Sequence, residues 1–68
     1  MKKFTFKITQ ADGTILIYKP RQDYDAYSVT HYNPKTESAR LIRQIPTTEA
    51  FKLFEQYKVQ KDVTVSVK

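Results

Sequence analysis

Between Ile45 and Ala50 the apolar period of this chain changes from two to 3.6, and that change limits what it can fold into. Upstream, Ala26–Tyr32 and Ser38–Ile45 alternate apolar and polar residues, the signature of strands with one buried face. Downstream, Ala50, Leu53, Phe54 and Tyr57 fall at i, i+3, i+4 and i+7, a single helical stripe. Pro46-Thr47-Thr48-Glu49 marks the junction: a Thr cap is expected, with an acid in the first turn near the positive end of the helix dipole. No glycine or proline closes the helix, whose end is set near Lys58. Ala26–Tyr57 thus reads as a hairpin feeding the chain's single helix.

The remaining segments supply strands. In Lys3–Gln10, Phe4, Phe6 and Ile8 oppose Lys3, Thr5, Lys7 and Thr9. Asp12-Gly13 follows and contains the only glycine; a two-residue type I′ turn there pairs Ile8 with Ile17 and Lys7 with Tyr18. Thr14–Lys19 is apolar on both faces and Pro20 ends it. Arg21–Asp25 is a polar loop with Tyr24 as an anchor. Asn33-Pro34 opens a second turn. A five-residue loop, Asn33–Glu37, avoids a positive φ at the β-branched Thr36 and places Val29 opposite Leu41, His31 opposite Ala39 and Tyr32 opposite Ser38. Asp62–Lys68 alternates again, with Val63, Val65 and Val67 inward. The expected architecture is α+β, order β-β-β-β-α-β: a mostly antiparallel five-stranded sheet with one helix on one face.

With 68 residues the chain forms one domain. It has no cysteine and one histidine, so disulfides, thiolate metal sites and thiol nucleophiles are excluded and a structural zinc is not expected. No apolar run approaches the ~20 residues of a membrane span, and the N-terminal stretch alternates instead of forming a signal core; a soluble, cytoplasmic protein without a membrane partner is expected. Twelve Lys and Arg against seven Asp and Glu leave a formal charge of +5, which favours anionic partners, either nucleic acid or an acidic protein surface.

By these registers the sheet face opposite the helix carries Lys3, Thr5, Lys7, Leu16, Tyr18, Ser28, Thr30, Tyr32, Arg40, Ile42, Gln44 and Lys68. Cations between aromatic rings suit single-stranded nucleic acid, whose backbone meets the charges while its bases stack, at about 1–3 kcal/mol per base. Lys3, Lys7, Tyr18, Tyr32, Arg40 and Lys68 are the candidate binding residues for nucleic acid or another partner. Arg40 and Arg43 are expected on opposite faces, Arg40 being suited to a bidentate contact with phosphate or carboxylate. His31 reads as a half-buried, hydrogen-bonded side chain without a serine or carboxylate partner for catalysis. Asp23 and Asp25 are too few oxygen ligands for a hard metal ion. No spacing joins a nucleophile to a base or brings two acids together, so neither enzymatic activity nor a cofactor is expected. Phe51 falls outside the helical stripe and either widens the apolar face or forms a second contact surface. If the terminal strand lies at a sheet edge, its free amides can recruit another strand or a second copy as a homodimer.

Lys3-Phe4-Thr5-Phe6-Lys7, a later hairpin and a closing helix resemble the small basic archaeal chromatin proteins, which implies an SH3-like barrel that binds DNA. The chain departs from that pattern in having no glycine-rich loop and a strand after the helix. The hairpin-then-helix order of Ala26–Tyr57, with the small size, also resembles phage-encoded inhibitors of host defence, including anti-CRISPR proteins. That likeness implies a surface that occludes a host protein complex or competes with nucleic acid; a basic chain departs from the acidic DNA mimics among them.

Overall fold

A computed structural model describes residues 3–67. Five strands, β1 (Phe6–Thr9), β2 (Ile15–Pro20), β3 (Ala26–Asn33), β4 (Ser38–Pro46) and β5 (Thr64–Val67), form one antiparallel sheet in the order β4-β3-β2-β1-β5. The single helix α1 (Thr47–Lys58) carries the chain from one edge strand to the other. This is the α+β architecture that the change of period implies, with the terminal strand at an edge.

The core lies between α1 and the sheet. Phe6, Ile8, Tyr18, Tyr27, Val29, Ile45 and Ala50 are buried, and Leu53, Phe54 and Tyr57 of the helical stripe pack on them. Phe51 belongs to the same apolar face: its ring stacks on Phe4 at 5.8 Å and meets Tyr27 edge-on at 5.9 Å. The Tyr27 hydroxyl donates to the Phe4 carbonyl at 2.8 Å and accepts from the Phe4 amide at 3.1 Å, which fastens the chain's start beneath the helix.

Both turns differ from the sequence expectation, and each difference moves side chains between faces. A type I′ turn needs positive φ at two central residues, but in the first turn only Gly13 has it, at 92°. The loop is three residues instead, closed by Gln10 N–H to the Thr14 carbonyl at 2.8 Å and Gly13 N–H to the Gln10 carbonyl at 3.0 Å. Asp12 Oδ1 accepts from the Thr14 amide and hydroxyl, which holds its carboxyl below the usual aspartate range. The ladder therefore pairs Phe6 with Tyr18 and Ile8 with Leu16, one residue from the expected register. A one-residue slip exchanges the two faces of a strand. Leu16 and Tyr18 point to the core, and Ile15 and Ile17 take the open face.

In the second turn Asn33 pairs with Ser38 around a four-residue loop. Its positive φ of 54° falls on Glu37 instead of Thr36, and Asn33 Oδ1 accepts the Lys35 amide at 3.0 Å. Ala39 thus lies opposite Tyr32, Arg40 opposite His31 and Leu41 opposite Thr30. A bulge between Val29 and Thr30 then leaves Ile42 without a partner and restores Arg43 opposite Val29. The helix cap also differs. Pro46 occupies the N-cap with no side-chain hydrogen bond, and the Thr47 amide donates to the Asp25 carbonyl at 3.2 Å.

Candidate binding face and strand edge

None of the strand residues is acidic. The seven carboxylates, Asp12, Asp23, Asp25, Glu37, Glu49, Glu55 and Asp62, all lie in turns, loops or the helix, whereas Lys7, Lys19, Arg40 and Arg43 lie on strands. This segregation produces two acid-free surfaces, the open face of the sheet and the outer edge of β4.

The paired registers build the open face in rows. One row runs Ser66, Lys7, Ile17, Thr30, Leu41; the next runs Thr64, Thr9, Ile15, Tyr32, Ala39; Lys19, Ser28 and Gln44 complete a third. The centre is aliphatic, with lysines toward one side and a single ring, Tyr32. Near Lys19 a cleft of about 530 Å³ is lined by Lys3, Thr5, Pro20, Arg21 and Gln22.

The sequence-derived candidates separate in this geometry. Lys7 and Tyr32 share the open face. Tyr18 does not: it is fully buried, its ring stacked on Phe6 at 4.6 Å, because the three-residue turn rotates it inward. Arg40 shares the helix-side face with His31, because the four-residue turn shifts its register. Leu16 likewise moves to the core, and Ile42 is the unpaired bulge residue. Lys3 is already engaged, its ammonium donating to the Tyr24 carbonyl at 3.0 Å and lying 3.5 Å from Asp25. Lys68 lies outside the described residues. The residues missed were Lys19, Ile15, Ile17 and Leu41; the alternation of β2 would have assigned the first three had its turn length been known, and the length of the second turn would have assigned Leu41.

The loop carboxylates are also occupied. Asp23 accepts two hydrogen bonds from Arg21, at 3.1 and 3.0 Å, which holds its carboxyl below the ordinary value, and the Arg21 guanidinium lies 5.0 Å from the centre of the Tyr24 ring. Asp23 and Asp25 therefore each meet a cation of the chain. His31 sits half-buried between Leu16 and Arg40 in its row, and no hydrogen bond among the described residues involves its ring.

At the β4 edge the bulge overturns a second expectation. Arg40 and Arg43 pair with His31 and Val29, two residues apart on β3, and so share one face. Leu41 and Ile42 between them are 58% and 48% exposed. Neither guanidinium forms an ion pair among the described residues, where the pairs are Lys3–Asp25, Arg21–Asp23 and Lys58–Glu55.

On the helix side, a groove of about 290 Å³ is lined by Phe4, Phe51, Phe54 and Glu55. Lys58 reaches over its Phe54 wall, 5.3 Å from the ring centre, and pairs with Glu55 at 3.8 Å. Among the described residues no helix is long and apolar enough to cross a membrane. No protein-family model matches the chain, and neither a curated protein nor a solved structure matches it.

Proposed function

We propose that this chain is a non-enzymatic binding module that docks the open face of its sheet on an acidic surface of a partner protein and so occludes it. The observation that carries the reading is the composition of that face: Ile15 and Ile17 at the centre, Leu41 on the edge strand beyond Thr30, Lys7 and Lys19 beside the isoleucines, and no carboxylate on any strand. Branched aliphatics give a contact its water-excluding middle, and flanking lysines steer it toward negative potential. The phage-inhibitor mode of action, blocking a host complex, is of this kind.

Nucleic acid is the second reading, favoured by the two lysines of an acid-free face and the +5 charge. It ranks below the first because base stacking needs rings and Tyr32 is the one aromatic left on the face. The deciding experiment is a pull-down from nuclease-treated lysate with wild-type chain and with Lys7→Glu/Lys19→Glu as bait. A protein retained after nuclease by the wild type and lost by the variant supports docking. Loss of all partners on nuclease treatment, with gel-shift affinity that falls steeply with salt, replaces it with the nucleic-acid reading.

A further inference from the structure

We propose that the free edge of β4 accepts an extended acidic segment of a partner protein as a sixth strand. This edge adjoins the open sheet face and shares Leu41 with it, but its main-chain hydrogen bonding does not depend on the role of that face.

β4 is the outermost strand at its side of the sheet and the longest, nine residues of which only Ile45 is buried. Among the described residues, no strand pairs with its outer side. Such an edge is a template for strand addition, in which main-chain hydrogen bonds supply affinity and alternate side chains supply selectivity.

The bulge determines the selectivity. In a regular strand, residues three apart face opposite ways. With Ile42 unpaired, Arg40 and Arg43 come to one face at a spacing of two ladder positions, set by His31 and Val29. An added strand has a side-chain period of two, so its residues i and i+2 stand beside the Arg40 and Arg43 positions. The Arg43 guanidinium, which lies near the Tyr18 hydroxyl, swings outward to meet an acid there. Arginine forks match carboxylates, and acids at i and i+2 satisfy both. On the other face the segment meets Leu41 and Ala39, which calls for apolar residues between the acids.

The same features argue against other occupants. A second copy paired through β4 would bring four arginines together at one seam, and like charges directly opposite one another are destabilising. Nucleic acid could meet the guanidiniums but cannot pair with the edge amides as a strand.

The probe is an octapeptide alternating glutamate and valine, titrated into the intact chain by amide NMR. Two analogues, each N-methylated at alternate residues, block one or the other edge of the peptide. Strand addition predicts that one analogue binds at least tenfold more weakly while the other keeps the parent affinity, and that amides within residues 38–46 gain protection from exchange. Arg40→Glu/Arg43→Glu loses tenfold or more, and Arg40→Lys/Arg43→Lys, which keeps the charge but not the fork, falls between the wild type and that variant. Four results overturn the proposal: no binding at millimolar peptide, equal affinity of both analogues and the parent, equal affinity for a lysine–valine peptide, or a dimer by sizing with the β4 amides already protected. The analogue comparison uses the unaltered protein, so it stands whether or not the arginine variants fold.

Discussion

The rings of Phe6 and Tyr18 lie parallel, 4.6 Å apart and 7° from coplanar, as directly paired residues of β1 and β2. That contact is available only in the register of the three-residue turn. It exchanges one tyrosine from the open face for core packing, and its cost is a phenol hydroxyl that is buried beside Tyr57 and Arg43 without a well-formed hydrogen bond.

Tyr18→Phe tests that cost. The substitution keeps the stacked ring and removes an unsatisfied group, whose burial costs about 1–3 kcal/mol. The expected result is an increase in unfolding free energy of about 1 kcal/mol, or roughly 4–8 °C in Tm for a domain of this size. A loss of stability in denaturant titration would mean that the hydroxyl is satisfied in solution.

The same hydroxyl makes the fold sensitive to alkali. Burial, and after it the neighbouring Tyr57, push Tyr18 up to about 12, and burial also raises Tyr27. Between the unfolded value near 10 and the folded value near 12, the unfolded chain loses its proton while the native chain keeps it. Stability is therefore fully present below about pH 10 and falls as the pH rises toward 12, by on the order of 2–3 kcal/mol for Tyr18. Tyr18→Phe should lose the Tyr18 part of this slope and keep the part due to Tyr27. Parallel pH profiles for the two proteins would contradict the assignment.

The sequence disclosed what depends on period and missed what depends on turn length. Ala50, Leu53, Phe54 and Tyr57 face the core as their spacing requires, and Val65 pairs with Ile8 as its alternation requires. Turn length, in contrast, is set by φ at one or two residues and by local hydrogen bonds such as Asp12 to Thr14. An error of one residue there moved Tyr18 and Leu16 inward and Ile15 and Ile17 outward. The β4 bulge is still less legible: Arg40-Leu41-Ile42-Arg43 reads as an ordinary strand, and only pairing with β3 shows that its arginines share a face.

The two positive φ positions among the described residues should respond in opposite directions. A Cβ on Gly13 would meet nothing within 4 Å, so Gly13→Ala carries a backbone cost alone, about 1–2 kcal/mol at φ of 92°. Glu37 already bears such a cost at φ of 54°. Glu37→Gly should relieve it and stabilise the chain by about 0.5–1 kcal/mol, after the entropy glycine adds to the unfolded state. Thermal unfolding of the two variants checks the signs; destabilisation by Glu37→Gly would place the turn in another conformation.

The helix start can be improved. Pro46 sits at the N-cap with extended φ and ψ and has no side chain to accept the free amides of the first turn. Pro46→Asp supplies that acceptor beside the positive end of the dipole, worth about 1 kcal/mol. Because Pro46 ends β4 opposite Ala26, the variant also regains an amide there. A higher denaturation midpoint with an unchanged slope is expected, and no gain would show that Pro46 contributes through rigidity instead.

Neighbouring substitutions in β2 separate fold from function. Leu16 packs on the core beside Ile8, whereas Ile17 lies on the open face between Lys7 and Thr30. Leu16→Ala removes three carbons from a packed site and should cost about 2–3 kcal/mol. Ile17→Thr keeps the β-branch that suits a strand and should cost under about 1 kcal/mol. If the open face is the docking surface, Ile17→Thr nevertheless lowers partner retention in the nuclease-treated pull-down, because it puts a hydroxyl at the aliphatic centre. The two-residue turn would exchange these roles, making Ile17 the costly position and Leu16 the tolerant one. Denaturant midpoints of the pair therefore test the register directly, and retention by the stable variant tests the face.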